Sequence, residues 1–198
     1  MDNGRVEALL ARERRVILGI TGPPGAGKTR VAEMVASTFD DAVQLPMDGF
    51  HLADAELGRL GLLDRKGAID TFDGYGYLAL LSRLRGEPLG IVYAPAFDRD
   101  IEQPIAGSIP VPPETTLVVT EGNYLLDDEP PWPAVRELLS EVWFIDVPRE
   151  ERRRRLIARH IQFGKSPAQA EAWVRDVDER NAERIEKSRH KADLVVTP

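Results

Sequence analysis

The chain has 198 residues, and its formal net charge at pH 7 is −7. This acidic balance disfavours a general nucleic-acid or membrane-surface binder, because both partners are themselves negatively charged. The sequence contains no cysteine, which excludes disulfide bonds and thiolate chemistry. The length favours one domain with a sizeable core, and the composition shows no break along the chain.

Membrane and export signals are absent from the sequence pattern. No apolar run approaches the roughly 18 residues that a membrane span needs. The start of the chain is charged and lacks the pattern of a signal peptide. We therefore expect a soluble cytoplasmic protein that has no membrane partner.

Strand-like apolar runs and helical patterns alternate along the chain. In chain order they predict a strand at 16–20, a helix at 28–39, a strand at 42–45, a helix at 74–85, an extended segment at 91–94, a loop or hairpin at 95–113, a strand at 116–120, a helix at 133–139, a strand at 142–147, helices at 149–163 and 167–187, and a strand at 193–196. This alternation predicts an α/β fold with a mainly parallel sheet and helices on both faces. Ligands of such sheets bind at the carboxyl ends of the strands.

The segment GPPGAGKT follows the first strand and matches the pattern G-x-x-x-x-G-K-[ST] of a P-loop. Its glycines permit backbone N–H groups to face phosphate oxygens, and the following helix adds its positive end. Lys28 can reach the β- and γ-phosphates, and the Thr29 hydroxyl suits Mg²⁺. An ordinary Gly/Pro turn is the alternative, but a strand before the loop and a helix after it favour the phosphate site. The residues assigned to the nucleotide are Gly22, Pro23, Pro24, Gly25, Ala26, Gly27, Lys28, Thr29 and Arg30.

Two carboxylates follow predicted strands. Asp48 comes after the second strand, where it could orient an acceptor hydroxyl, take its proton or hold Mg²⁺. Glu121 ends the strand LVVT and is a second candidate for the magnesium side, with Thr29 as the third ligand. For both acids the alternative is a solvated turn residue.

Other polar and aromatic residues are candidates for substrate contact. His51 lies just beyond Asp48, Asn123 follows Glu121, and Glu121 itself is a further candidate for substrate contact. From spacing alone, Asp73 is better explained as the N-cap of the helix at 74–85. Phe97 and Asp98 lie in the segment 95–113, where an irregular charged loop is the alternative.

Five arginines stand out in this acidic chain: Arg152, Arg153, Arg154, Arg155 and Arg159. Arg155 and Arg159 are four residues apart, so they share one face of the predicted helix. Together they could clamp the transferring phosphates and stabilise charge in the transition state. A solvated face that pairs with Glu150 and Glu151 is the alternative, and a nucleic-acid patch is disfavoured by the missing aromatic residues.

The motifs together resemble those of one family of P-loop kinases. They are GPPGAGKT, MDGFH, RKGAIDTFD, IVYAPAFDRDI and VVTEGNYLL, followed by the Arg-rich helix and KADLVVTP. The family includes uridine kinase, pantothenate kinase and phosphoribulokinase, and the nucleoside or fructose-transport-system kinases are the most similar group. The resemblance covers nearly the whole chain.

The resemblance implies a P-loop NTPase three-layer sandwich, formed by one kinase domain over 1–198 with a helical lid at about 149–187. It implies ATP and Mg²⁺, and transfer of the γ-phosphoryl group to a hydroxyl of a nucleoside, sugar or pantothenate-like molecule. Asp48 would be the base or a metal-side carboxylate, with Lys28 beside it. Asp73, Phe97 and Asp98 would contact the acceptor, and Arg155 and Arg159 the phosphates.

Two departures from the family leave the acceptor open. Uridine kinases carry a histidine a few residues after the position of Asp98, where this chain has Asp100-Ile101-Glu102. Pantothenate kinases have a histidine just before the equivalent excursion, where this chain has Ala94-Pro95-Ala96.

A nucleoside triphosphatase or a nucleotide switch that acts through a protein partner is the alternative function. A guanine-specific switch normally shows Asn-Lys-x-Asp, and the nearest match here is His190-Lys191-Ala192-Asp193, whose first residue differs. The lid helices and the segment 105–113 could also serve a homodimer.

Overall fold

The computed structural model describes residues 2–86 and 89–197. Within them the strands are β1 (Val16–Thr21), β2 (Ala42–Pro46), β3 (Val92–Asp98), β4 (Gln103–Val111), β5 (Leu117–Glu121), β6 (Glu141–Ile145) and β7 (Leu194–Val196). Five of them form a parallel sheet in the order β2-β5-β1-β6-β7, and β3 pairs with β4 in an antiparallel hairpin.

Helices cover both faces of this sheet. They are α1 (Asn3–Leu10), α2 (Lys28–Ala36), α3 (Asp54–Leu60), α4 (Gly74–Arg85), α5 (Trp132–Leu138), α6 (Arg149–Gln162), α7 (Pro167–Trp173) and α8 (Glu179–Glu186). Short 3₁₀ turns lie at Met47–Phe50, Leu63–Arg65, Ile69–Thr71 and Arg189–Lys191, and a π-helical turn lies at Val174–Asp178. Among the described residues, no helix combines the length and apolar character needed to cross a membrane.

Alternate residues of the central strand β1 enter two separate hydrophobic clusters. Ile17 packs into the cluster that contains Trp132 of α5, whereas Leu18 packs into the one that contains Val31 of α2. This alternation follows from the strand geometry, in which successive side chains point to opposite faces. The three-layer α/β architecture that the sequence predicted is therefore confirmed.

Most predicted elements are found within a few residues of their predicted limits, and α4 has the predicted limits. The segment 95–113, which the sequence left as a loop or a hairpin, contributes to a hairpin. The predicted helix at 167–187 is interrupted by the π-helical turn. The sequence analysis missed α1 and α3, because each helix buries a single residue, Val6 and Leu57 respectively, and so lacks an apolar stripe.

The strand order brings three chain segments to one edge of the sheet. β5 lies between β1 and β2, and in the paired register Glu121 is opposite Ile20 on one side and Pro46 on the other. Glu121 therefore lies between the loop that follows β1 and the turn that follows β2. The order also reverses at β1, which is where open parallel sheets bind their ligands.

The β3–β4 hairpin is held against the turn Met47–Phe50 through a close backbone contact. Gly49 is buried there, and a Cβ atom at this position would lie 2.3 Å from the carbonyl oxygen of Pro95. A residue with a side chain would therefore separate the hairpin from the turn that carries Asp48.

We expect Gly49→Ala to lower the free energy of unfolding by roughly 1–3 kcal/mol, the cost of forcing an extra methyl group into a packed contact. Gly58→Ala in α3 is the matched control, because its Cβ would meet nothing closer than 3.5 Å. That substitution should be neutral or slightly stabilising, since alanine is the better helix former. Urea unfolding followed by circular dichroism measures both variants, and equal midpoints for Gly49→Ala and the unsubstituted protein would contradict the packing argument.

Candidate active site

The P-loop connects β1 to α2 and has the backbone that a phosphate site needs. Gly25 and Gly27 have φ values of 77° and 90°, a region that residues with a Cβ rarely adopt. α2 begins at Lys28, so its unpaired N–H groups and the positive end of its dipole lie at the loop. The loop therefore forms an anion site from backbone groups.

Lys28 is the cationic side chain of the P-loop. Its side chain is half-buried, and Nζ donates a hydrogen bond to the carbonyl oxygen of Pro23 over 3.2 Å. Burial lowers the pKa of Lys28 to about 8, although the negative charges of Glu121 and Asp48 act in the opposite direction. Anionic phosphates beside this amine would favour its charged form.

Glu121 is the buried carboxylate at the centre of the site. It is 5% exposed, and one of its oxygens accepts a hydrogen bond from the Thr29 hydroxyl over 3.0 Å. Burial and the charge of Asp48 together raise the pKa of Glu121 to about 7, against the opposing charge of Lys28. A cation beside Glu121 would relieve this cost of burying a negative charge.

Asp48 is paired with the hairpin. Its Oδ2 atom is 2.8 Å from Nη2 of Arg99, which lies in the turn after β3. Burial by itself raises the pKa of the Asp48 carboxyl, but the charges of His51, Arg99 and Lys28 outweigh it and hold that pKa below its usual value. Asp48 is therefore ionised throughout the neutral range.

His51 is packed among aromatic rings beside Asp48. Its ring centroid lies 4.0 Å from that of Phe72 and 4.8 Å from that of Phe97. Its Nδ1 atom is 2.8 Å from the backbone oxygen of Asp48, and since a carbonyl can only accept, Nδ1 carries the proton. Burial lowers the pKa of His51, so at neutral pH its Nε2 atom is a hydrogen-bond acceptor.

The arginines of α6 face the P-loop from the other side. Nη1 of Arg155 is 3.4 Å from the carbonyl oxygen of Gly25, and its Nε pairs with Glu151 over 2.9 Å. The guanidinium of Arg159 has no hydrogen-bond or ion-pair partner among residues 2–86 and 89–197. Arg155 and Arg159 therefore present guanidinium groups towards the phosphate site.

These groups line one cavity of about 610 Å³ between the P-loop, the hairpin and the lid, which we define as residues 149–187. The predicted site residues on its wall are Pro24, Gly25, Gly27, Lys28, Thr29, Arg30, Asp48, His51, Phe97, Glu121, Asn123, Arg155 and Arg159. Gly22, Pro23 and Ala26 belong to the same loop but lie outside this wall. The structure thus brings most of the predicted residues to one place.

Asp73 and Asp98 are not part of the cavity wall. Asp73 caps α4 by accepting a hydrogen bond from the N–H of Gly76 over 2.8 Å, as its spacing predicted. Asp98 is exposed and accepts hydrogen bonds from the N–H groups of Asp100 and Ile101 over 2.9 Å and 3.3 Å. Their contact with substrate stays a prediction.

The sequence analysis missed several residues that the fold brings to the cavity. They are Lys66, Phe72, Arg99, His160, Trp173, Asp178 and Asn181. Arg99 was quoted within its motif without a role, because nothing local shows that the hairpin returns to Asp48. The others lie in the lid or between α3 and α4, where only the tertiary structure shows what they face.

The buried member of the arginine run was also missed. Arg152 is 1% exposed, and its guanidinium lies 3.5 Å from the carbonyl oxygen of Pro24 and 2.9 Å from Glu186. The signal for it was present, since Arg152 stands four residues before the buried Leu156 on the inner face of α6.

A P-loop at the switch point of a parallel sheet, with a buried acid on the neighbouring strand, defines a nucleoside-triphosphate-binding P-loop protein. Comparisons with known proteins narrow this class. The chain is 37% identical over 152 residues to the ATP-dependent kinase-like protein notR' of Aspergillus versicolor, covering 72% of this chain and 88% of that protein. It is 31% identical over 207 residues to a Schizosaccharomyces pombe protein provisionally named a uridine kinase, covering 97% and 87% respectively.

A solved structure supports the same assignment. A crystal structure from Silicibacter, described provisionally as a fructose transport system kinase, superposes with a TM-score of 0.88 at 33% identity and covers 98% of both chains. No family model matches the chain. The chain belongs to the family of P-loop ATP-dependent kinases that these relatives represent, so it is an ATP-dependent phosphotransferase that acts on a small molecule.

We expect Glu121→Gln to stabilise the protein in a pH-dependent way. The pKa of about 7 in the folded state exceeds the ordinary value of 4.5, so ionisation of Glu121 opposes folding increasingly as the pH rises between these values. The substitution should raise the free energy of unfolding by on the order of 1–3 kcal/mol at pH 8, and by less at pH 5.

Thermal unfolding without nucleotide at the two pH values measures this effect. Glu33→Gln, on the exposed face of α2, is the matched control and should give no pH-dependent difference. An equal gain for Glu121→Gln at both pH values would show that Glu121 titrates normally.

Proposed function

We propose that the protein transfers the γ-phosphoryl group of ATP, with Mg²⁺, to a hydroxyl group of a nucleoside, a sugar or a pantothenate-like metabolite. The observation that carries the proposal is the position of Asp48. This ionised carboxylate lies on the wall of the same cavity as the P-loop, beside a hairpin and a lid that leave room for a second molecule. A cavity of about 610 Å³ is within the size range of small-ligand sites.

The phosphates would be held from two sides. The N–H groups of the P-loop and Lys28 approach them from the sheet, and Arg155 and Arg159 approach from α6. Phosphoryl transfer has a loose transition state with charge spread over the phosphate oxygens, so positioned positive groups supply most of the catalysis. Closure of the cavity by the lid would exclude water and suppress hydrolysis.

The residues on the sheet side fit a magnesium ion. Thr29 and Glu121 are joined by a 3.0 Å hydrogen bond, and Glu121 is a buried acid whose pKa is raised by burial and by the charge of Asp48. Asp48 supplies a third oxygen donor across the cleft. When bound, Mg²⁺ would neutralise charge on the β- and γ-phosphates, and water and phosphate oxygens would complete its ligands.

Asp48 would orient the acceptor hydroxyl. In the transfer step the hydroxyl oxygen bonds to the γ-phosphorus, the bond to the bridging β-phosphate oxygen breaks, and ADP leaves. The hydroxyl proton passes to Asp48. A carboxylate with a lowered pKa is a weak base, which suits a loose transition state in which the proton moves late.

Further acceptor contacts are proposed for His51, Phe97 and Asn123, which share the cavity wall with Asp48. His51 offers an acceptor nitrogen, and Phe97 offers an apolar ring face. Three further expectations stay predictions: that the protein has no nucleic-acid or membrane partner, that it is cytoplasmic, and that it forms a homodimer.

An ADP-release assay tests the function directly. Mg²⁺–ATP is supplied with a panel of sugars, nucleosides, pantothenate and related alcohols, and Lys28→Ala is the blank. Turnover that rises well above the acceptor-free rate with one compound supports the kinase and names its acceptor. Hydrolysis that is lost in Lys28→Ala and that no compound accelerates would support a triphosphatase instead.

We expect Asp48→Asn to lower kcat/KM for the acceptor by roughly 10²–10⁴-fold, because the hydroxyl loses its proton acceptor and its orientation. ATP binding should change by much less, since Lys28 and the P-loop are unaltered. Asp40→Asn is the matched control, because Asp40 is exposed in the turn before β2, at the opposite end of that strand. An unchanged rate of phosphoryl transfer in Asp48→Asn would contradict the assignment of Asp48 as the base.

A comparison of two arginines of α6, Arg159 and Arg154, tests whether the phosphate role is specific to Arg159. We expect Arg159→Ala to lower kcat by about a hundredfold or more, because a guanidinium that stabilises transition-state charge is lost. Arg154→Ala is the control: its side chain is 77% exposed and pairs with Glu151 over 2.7 Å. Its kcat should stay within about twofold. Equal losses in the two variants, measured by ADP release at saturating substrates, would contradict the role of Arg159.

A further inference from the structure

The lid contains a π-helical turn at Val174–Asp178, between α7 and α8. The N–H of Glu179 donates to the carbonyl oxygen of Val174, five residues earlier, instead of four as in an α-helix. Such a turn inserts one residue and redirects the side chains that follow it. Because π-turns weaken a helix, they are found frequently where a functional group must be placed.

The group placed by this turn is the carboxylate of Asp178. The residue is 8% exposed and lies on the cavity wall. Its Oδ2 atom is 2.8 Å from Nε2 of His160 on α6. Its Oδ1 atom accepts no hydrogen bond from the part of the chain that the structure describes. Asp178 is thus a fixed carboxylate with one unused oxygen in the cavity.

The helix that follows Asp178 contacts the chain segment between α3 and α4. One turn later, Asn181 donates to the carbonyl oxygen of Gly67 over 3.2 Å. Gly67 leads into the segment that ends at Phe72, whose ring contacts His51 beside Asp48. The contacts of the lid with the P-loop are made separately, by Arg152 and Arg155 of α6. Asp178 therefore faces the acceptor side.

The charges on the cavity wall disfavour an anionic acceptor. Asp54, Glu102 and Asp178 all lie on this wall. Two positive charges on it are paired, Lys66 with Asp54 over 2.6 Å and Arg99 with Asp48 over 2.8 Å. Among the described residues, Glu102 and Asp178 have no lysine or arginine partner, so a carboxylate on the acceptor would be repelled by these two groups.

One cation of the lid lies against an aromatic ring instead of a carboxylate. Nζ of Lys165 is 4.7 Å from the centroid of Trp173. The cavity wall also carries the rings of Phe72, Phe97 and Phe163. Carboxylates accept hydrogen bonds from hydroxyl groups, and aromatic faces pack against C–H groups, which together match a compound with several hydroxyls.

We propose that Asp178, held by His160, is a specificity-determining residue that accepts hydrogen bonds from the non-reacting hydroxyls of an uncharged polyhydroxylated acceptor. This inference rests on the proposed function, in which Asp48 receives the reacting hydroxyl of the same molecule. Asp178 affects the binding of the acceptor, whereas Asp48 and the P-loop carry out the phosphoryl transfer.

Asp176 supplies a matched control for Asp178. It lies two residues earlier in the same turn, is exposed, and pairs with Arg175 over 2.7 Å. Asp178→Asn and Asp176→Asn remove the same charge from the same turn, but only the first change reaches the cavity. A loss caused by the turn itself would appear in both variants.

Binding is measured without turnover through tryptophan fluorescence. The chain has three tryptophans, and Trp132 and Trp143 are buried in the core. Trp173 lies on the cavity wall, so its emission should respond to an acceptor. The probes are fructose, ribose and uridine as uncharged polyols, and glycerate and pantothenate as anions, each titrated in the presence of ADP.

We expect an uncharged polyol to bind the unsubstituted protein and Asp176→Asn with similar Kd values, and to bind Asp178→Asn at least tenfold more weakly. The Kd for ADP should stay within about twofold in all three proteins. In turnover, Asp178→Asn should raise KM for the acceptor and leave KM for ATP unchanged. His160→Gln should give a smaller loss of the same kind, and serves if Asp178→Asn does not fold.

Binding of the anions alone, or of none of the polyols, would overturn the assignment. Equal acceptor affinities in Asp178→Asn and Asp176→Asn would also overturn it. A polyol whose affinity depends on Asp178 but which accepts no phosphate would support the assignment and contradict the proposed function, so the two failures are distinguishable.

Discussion

The arrangement of this protein depends on the position of β5 between β1 and β2. Because parallel strands end at the same edge of the sheet, the P-loop, Glu121 and the turn with Asp48 become neighbours across adjacent strands. Gly49 then allows the hairpin to approach that turn, which brings Arg99 to Asp48. The P-loop and the proposed acceptor site are thus joined by one structural constraint.

The charges at this edge are arranged for ligands. Burial lowers the pKa of Lys28 to about 8 and raises the pKa of Glu121 to about 7, so each is held in a state that costs free energy. Bound phosphates would compensate the first group, and a metal ion would compensate the second. The binding free energy of a nucleotide and its ion would therefore include the relief of two unfavourable burials.

The lid connects the two sites through different residues of its helices. Arg152 is buried and links the P-loop carbonyl of Pro24 to Glu186 of α8. Removing Glu186, whose side chain is 50% exposed, would leave the buried guanidinium of Arg152 with less compensating charge, so this pair links the lid to the loop. Asp178 of the π-helical turn lies on the cavity wall. The lid therefore supplies residues both to the contact with the P-loop and to the cavity.

The sequence by itself determined the α/β class, the P-loop, the two strand-end acids and the pair Arg155 and Arg159. These features follow from local spacing, since the hydrophobic period and the glycine pattern depend on near neighbours along the chain. It also showed the cap made by Asp73. Only the tertiary structure decided the strand order, the pairing of Arg99 with Asp48, the burial of Arg152 and the place of Asp178 in the cavity. Those contacts join residues 51, 128 and 18 positions apart, and no local pattern records them, because they arise when separate elements pack against each other.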